Sequence, residues 1–115
     1  MMKSGPDAYS GAKERDSDLL PVIDDDYIKG QKEKARKLRD SAWWKRKRSS
    51  GACHYCRKKF KPAELTMDHV IPISRGGASV KENLVPCCKD CNNQKQNLLP
   101  AEWKEFLDSL SQASR

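Results

Sequence analysis

Two Cys-x-x-Cys pairs, Cys53/Cys56 and Cys88/Cys91, constrain this chain more than any other feature. Each spacing suits a tight knuckle that turns two sulfurs the same way. Two knuckles together can present four thiolates to one tetrahedral zinc ion. Thirty-one residues separate the pairs, more than a plain zinc ribbon needs, so the frame encloses something. Inside it lies the dipeptide Asp68-His69, and Asn92 follows the last cysteine. A carboxylate, an imidazole and an amide are thus expected beside a closed sulfur site, where a hard cation could sit. Only Cys88 has the right spacing to Cys91, so Cys87 is expected as a small buried hydrophobe. His54, inside the first knuckle, is expected to point away from the metal.

The chain has 115 residues, enough for one small domain with tails, and only 37% of them are hydrophobic. A core of that size is marginal, and a structural metal is a common remedy. A secreted disulfide scaffold fits less well. Residues 1–26 lack an apolar signal segment, the cysteines stand at zinc spacing, and a fifth cysteine is left over. The longest apolar cluster, Val70-Ile71-Pro72-Ile73, is too short to span a membrane. These features predict a cytoplasmic protein that is not secreted. The net charge of +7 is uneven: residues 1–26 hold three basic and seven acidic residues, and residues 27–115 hold twenty and nine. A folded part so basic points to a polyanion, DNA or RNA.

Residues 1–26, rich in Gly, Ser, Pro and Asp, read as a disordered acidic arm. Its last residues, Asp24, Asp25 and Asp26, are placed to favour the start of a helix. Residues 27–115 form the expected domain, with its motif core at about 53–97. From Tyr27 to about Lys45, the apolar residues Ile28, Ala35, Leu38 and Ala42 make a helical seam opposite Lys29, Lys32, Lys34, Arg36, Lys37 and Arg39. Trp43 and Trp44 precede Lys45-Arg46-Lys47-Arg48 and could stack on bases, but packing against the knuckle is favoured. Short strands are expected at 65–71 and 83–86, with a loop at 74–81 marked by Gly76-Gly77. A short helix over 89–96 follows. Pro100 opens a last helix, whose Trp103, Phe106, Leu107 and Leu110 fall on one packing face.

The string Asp68-His69-Val70-Ile71-Pro72, Gly76-Gly77, Asn83-Leu84 and Cys88-x-x-Cys91-Asn92-x-x-Lys95 resembles the HNH endonuclease family. The likeness is to its zinc-stapled ββα-metal (His-Me finger) kind and covers roughly residues 38–98. It implies an α+β fold: a small ββα-metal core, a four-cysteine zinc knuckle pair and flanking helices. It also implies a role for each matching residue. His69 would be the general base, Asp68 and Asn92 ligands of a catalytic Mg²⁺ or Mn²⁺, and Asn83 the support of the loop and histidine. Lys95 and Arg75 are candidates to hold the phosphate. The cofactors would be one structural Zn²⁺ and one catalytic divalent cation.

The activity implied is hydrolysis of DNA phosphodiester bonds. A monomer or weak dimer in a bacterial or phage setting would nick duplex DNA with low sequence specificity, leaving 5′-phosphate and 3′-hydroxyl ends. Neighbours on a strand point to opposite sides, so a twist or bulge is expected to bring Asp68 and His69 into one site. Asn92, in place of a third histidine, implies loose cation binding. The alternative is a non-catalytic zinc module that binds nucleic acid. It would need the cysteines and the basic helix, but not His69 and Asn92.

Overall fold

Asp24 starts the first helix: its Oδ1 accepts the Tyr27 amide at 2.8 Å, and Asp25 and Asp26 fill the first turn of α1 (Asp25–Arg39). The computed structural model describes residues 22–113. The acidic arm expected over residues 1–26 therefore lies mostly outside the described residues, and its last two residues are helical.

One long helix to Lys45 was the expectation; the chain instead breaks at Asp40-Ser41 and restarts as α2 (Ala42–Arg48). Ser41 makes the break. Its hydroxyl donates to the Leu38 carbonyl at 2.6 Å and accepts the Trp44 amide at 3.3 Å, a cap worth about 1 kcal/mol. The seam therefore runs through Ile28, Ala35 and Leu38, while Ala42 is exposed. Trp44 is buried at 2% exposure, and α2 packs on the second strand. Trp44 thus packs inward, with α2 against the second strand where the knuckle had been expected. Trp43 remains half-buried, with the ammonium groups of Lys47 and Lys81 within 6 Å of its ring at 5.9 and 5.7 Å.

The first cysteine knuckle closes on an isolated bridge between Ala52 and Lys59. Gly51 sits at φ +74°, and a Cβ there would lie 2.5 Å from the Phe60 carbonyl oxygen, so this turn needs glycine. Two short antiparallel strands follow, β1 (Thr66–His69) and β2 (Leu84–Cys87), paired Thr66 with Cys87 through His69 with Leu84. The short helix α3 (Lys89–Lys95) packs on β1, completing a ββα unit. The last helix is α4 (Pro100–Ala113).

The fold is thus α+β, with four helices and one two-stranded antiparallel sheet among the described residues. Its core combines Cys53, Leu65 and Cys88 with Tyr55, Phe60 and the remaining knuckle cysteines. Only part of the expected α4 face is used: Trp103 is buried, Phe106 stacks on it at 5.6 Å, and Leu107 and Leu110 stay exposed. No helix among the described residues is long and apolar enough to cross a membrane.

Candidate functional site

The four cysteines converge. The sulfurs of Cys53, Cys56, Cys88 and Cys91 all lie within 4.8 Å of one another, and Cys56 and Cys88 are 3.8 Å apart. A tetrahedron of thiolates around Zn²⁺ has edges of about 3.8 Å, so the group could hold one metal ion such as zinc. Backbone amides are already aimed at the sulfurs. Tyr55 and Cys88 donate to Cys53 Sγ at 3.4 Å each, and Cys91 donates to Cys88 Sγ at 3.5 Å. Burial would push the Cys53 thiol up, but the amides of Cys56, Cys88 and Tyr55 outweigh it and bring it down to about 6. Burial pushes Cys56 and Cys91 up, so a metal would have to displace their protons.

Two expectations for the neighbours of this frame hold. His54 is exposed and lies edge-on to Tyr55 rather than in the sulfur group. Cys87 is fully buried on β2, and burial raises its thiol strongly.

Beside the sulfurs opens a cleft of roughly 430 Å³, lined by Asp68, His69 and Asn92 together with Lys32, Pro72, Gln96 and others. Asp68 and His69 reach it with no bulge: Asp68 pairs with Val85 and His69 with Leu84 in unbroken register. His69 is the last residue of β1, where the chain turns into the loop. The side chains thus meet at the strand end; of the twist or bulge expected, no bulge is present.

Asp68 is buried and tightly partnered. Tyr55, from the middle of the first knuckle, donates its hydroxyl to Oδ2 at 2.6 Å. Lys95 brings Nζ to 3.2 Å from the same oxygen and donates to the His69 carbonyl at 3.1 Å. Burial, then the bond and charge of Asp68, raise the Tyr55 phenol, so it stays protonated and donates. Asn92 spends its amide nitrogen on Thr66 Oγ1 at 3.2 Å, which leaves its oxygen for another partner. Asp68 Oδ1 and the Asn92 oxygen are both hard donors, a set that suits Mg²⁺ or Mn²⁺ completed by waters. The ammonium of Lys95 on the same carboxylate weakens that set rather than adding to it.

His69 is half-buried. Its Nε2 lies 2.8 Å from Ser79 Oγ. Burial holds the imidazole below its usual value, opposed by Asp68 and aided by Arg39 and Lys95. Asn83 staples the loop between the strands. Its oxygen accepts the Ile71 amide at 2.8 Å, and its nitrogen donates to the carbonyls of Ile71 and Ala78 at 3.0 Å each. At Gly77, a Cβ would lie 1.6 Å from the Ile71 carbonyl oxygen, so only glycine lets the loop close.

The two phosphate candidates are placed differently from expectation. Lys95 has no exposed surface, and its charge is spent on Asp68, so it does not reach a phosphate from solution. Arg75 is bound to Glu102 at 3.1 Å and to the Asn97 carbonyl at 3.2 Å, pinning the loop to the start of α4. Exposed Lys32 on α1 lines the cleft instead. Tyr55, Ser79, Gln31 and Tyr27 are the partners that sequence reading missed.

A strand-end histidine, a stapling asparagine and a helix-borne asparagine are thus framed by clustered cysteines on a ββα unit. Residues 53–107 match the HNH endonuclease family. The matched HNH segment takes in both cysteine pairs, Asp68, His69, Asn83 and Asn92, and leaves α1 and α2 outside it. No curated protein matches the chain.

Proposed function

We propose that this protein is a metal-dependent DNA endonuclease that nicks duplex DNA with little sequence preference. The cleft carries the reading: it gathers Asp68, His69 and Asn92 beside a four-cysteine group within an HNH segment. In this reading residues 27–115 are the nuclease domain, with their motif core at 53–97.

His69 takes a proton from a cleft water as the water oxygen attacks phosphorus in line. Its lowered basicity keeps it neutral, and so able to accept, at neutral pH. The bond to the 3′ oxygen breaks, leaving 5′-phosphate and 3′-hydroxyl ends. Asp68 and Asn92 would hold a Mg²⁺ or Mn²⁺ ion, which would supply positive charge against the phosphate and the departing oxygen. Asn83 keeps the loop closed behind His69. Lys32 replaces Lys95 as the cation nearest an incoming phosphate, and the exposed Lys29, Arg36 and Arg39 extend that charge along α1.

The zinc frame contributes rigidity. Asn92 follows Cys91, and Tyr55 lies between Cys53 and Cys56 with its hydroxyl on Asp68. One structural metal held there would fix the backbone of two residues that shape the cation site.

The test is supercoiled plasmid incubated with Mg²⁺ or Mn²⁺. Open-circular DNA should accumulate before linear DNA, because a single site cuts one strand per encounter. Leaving out the added divalent cation should abolish cutting in protein that still carries one zinc per chain. Protein that binds DNA but never cuts with any divalent ion would favour a zinc-stabilised binding module instead.

A further inference from the structure

The hydroxyl of Ser79 bridges His69 to a helix that lies outside the HNH segment. Ser79 Oγ is 2.8 Å from His69 Nε2 and 2.5 Å from the backbone carbonyl oxygen of Gln31 on α1. A hydroxyl has one proton, and a carbonyl can only accept. The proton of Ser79 must therefore lie toward Gln31, because otherwise two oxygens would face each other at 2.5 Å with no hydrogen between them. Ser79 then has only lone pairs to offer His69. The ring must donate, so Nε2 carries the proton and Nδ1 is left with the free lone pair.

The relay is held from both sides. The Gln31 side chain accepts the Ser79 amide at 2.6 Å, so backbone and side chain of one residue grip the serine. One turn earlier, the Tyr27 hydroxyl reaches the carbonyls of Gly76 and Gly77 at 3.1 and 2.9 Å. Ser79 is buried at 4% exposure, which keeps water from competing for these bonds. Among the described residues no group is bonded to His69 Nδ1.

We propose that α1 is a positioning element for the reaction: the Gln31–Ser79 relay locks His69 as the Nε2–H tautomer and leaves Nδ1 to accept the proton. Ser79 is a positioning residue, since it acts through His69 and not on substrate. The basic helix therefore has a second task besides contacting phosphates. This inference rests on His69 being the base, but its first readout does not.

That readout is the ¹⁵N spectrum of the histidines in zinc-loaded protein without DNA or divalent cation. Wild type should show Nε2 of His69 with a pyrrole-type shift and Nδ1 with a pyridine-type shift. Ser79→Ala should move His69 to a mixture of tautomers with circular dichroism and zinc content unchanged. In the same variant kcat should fall about 10–100-fold with KM for DNA nearly constant, the scale seen when a histidine loses its orienting partner. Ser79→Thr, which keeps the hydroxyl, should restore both. A wild-type Nδ1–H tautomer, or an unchanged spectrum in Ser79→Ala, overturns the lock. If the spectrum changes as expected but neither Ser79→Ala nor His69→Ala alters cleavage, the lock stands and the assignment of His69 as base fails.

Discussion

Lys95 has no exposed surface and holds its ammonium 3.2 Å from the buried carboxylate of Asp68. Removing one partner of such a pair leaves the other charge stranded, which costs about 3–5 kcal/mol. Lys95→Met should lower the urea unfolding free energy by that amount. Because a bound cation can replace the lost positive charge, Mg²⁺ should recover more stability in this variant than in wild type. A loss under about 1 kcal/mol would show that the pair is not held as described.

Tyr55 connects the sulfur frame to the cation site through its 2.6 Å bond to Asp68. Tyr55→Phe should keep its zinc but weaken Mn²⁺ binding and slow nicking about tenfold, as loss of a partner behind a metal ligand does. Zinc analysis, calorimetric Mn²⁺ titration and plasmid assays check the three parts. Unchanged Mn²⁺ affinity would contradict the connection.

The four-cysteine group should dominate stability. Zinc binding in small domains contributes on the order of 10 kcal/mol near neutral pH, comparable to the whole stability of a domain this size. Stripping zinc with a strong chelator should abolish the cooperative thermal transition, and Cys88→Ser should mimic it. A metal-free protein that still melted cooperatively at the same temperature would contradict this role.

Acidification should reduce both stability and activity. Burial holds His69 below 6.5, and partial desolvation with the nearby charges of Arg57 and Lys47 lowers the more exposed His54, so the unfolded chain takes up their protons first as pH falls. Below about 6.5 the unfolded state binds more protons than the folded state, and stability declines until each folded value is passed. The acid limb of kcat/KM should likewise lie below 6.5, since His69 stays neutral down to its lowered value. Unfolding curves and nicking rates across that range test both; an acid limb above 6.5 would contradict the burial of His69.

Much of the site was legible because its signals are local. Cysteine spacing located the sulfur group, and the resemblance to the HNH family singled out Asp68, His69, Asn83 and Asn92, three of which line one cleft. What was not legible depends on contacts between distant segments. Ser79 and Gln31 are ordinary polar residues until a loop meets α1 across forty-eight positions. Lys95 looked like a surface cation because its charge carries no mark of its depth in the fold. The break between α1 and α2 carried a local signal, Ser41 at a cap position, that the long apolar seam obscured.

Plasmid nicking by His69→Ala, beside wild type and with one zinc per chain verified in both, decides whether His69 drives the cleavage. Wild type should convert supercoiled plasmid to open circles with Mg²⁺ or Mn²⁺, and the variant should still bind DNA but cut at least about a hundredfold more slowly. Cleavage by the variant at the wild-type rate would contradict that role.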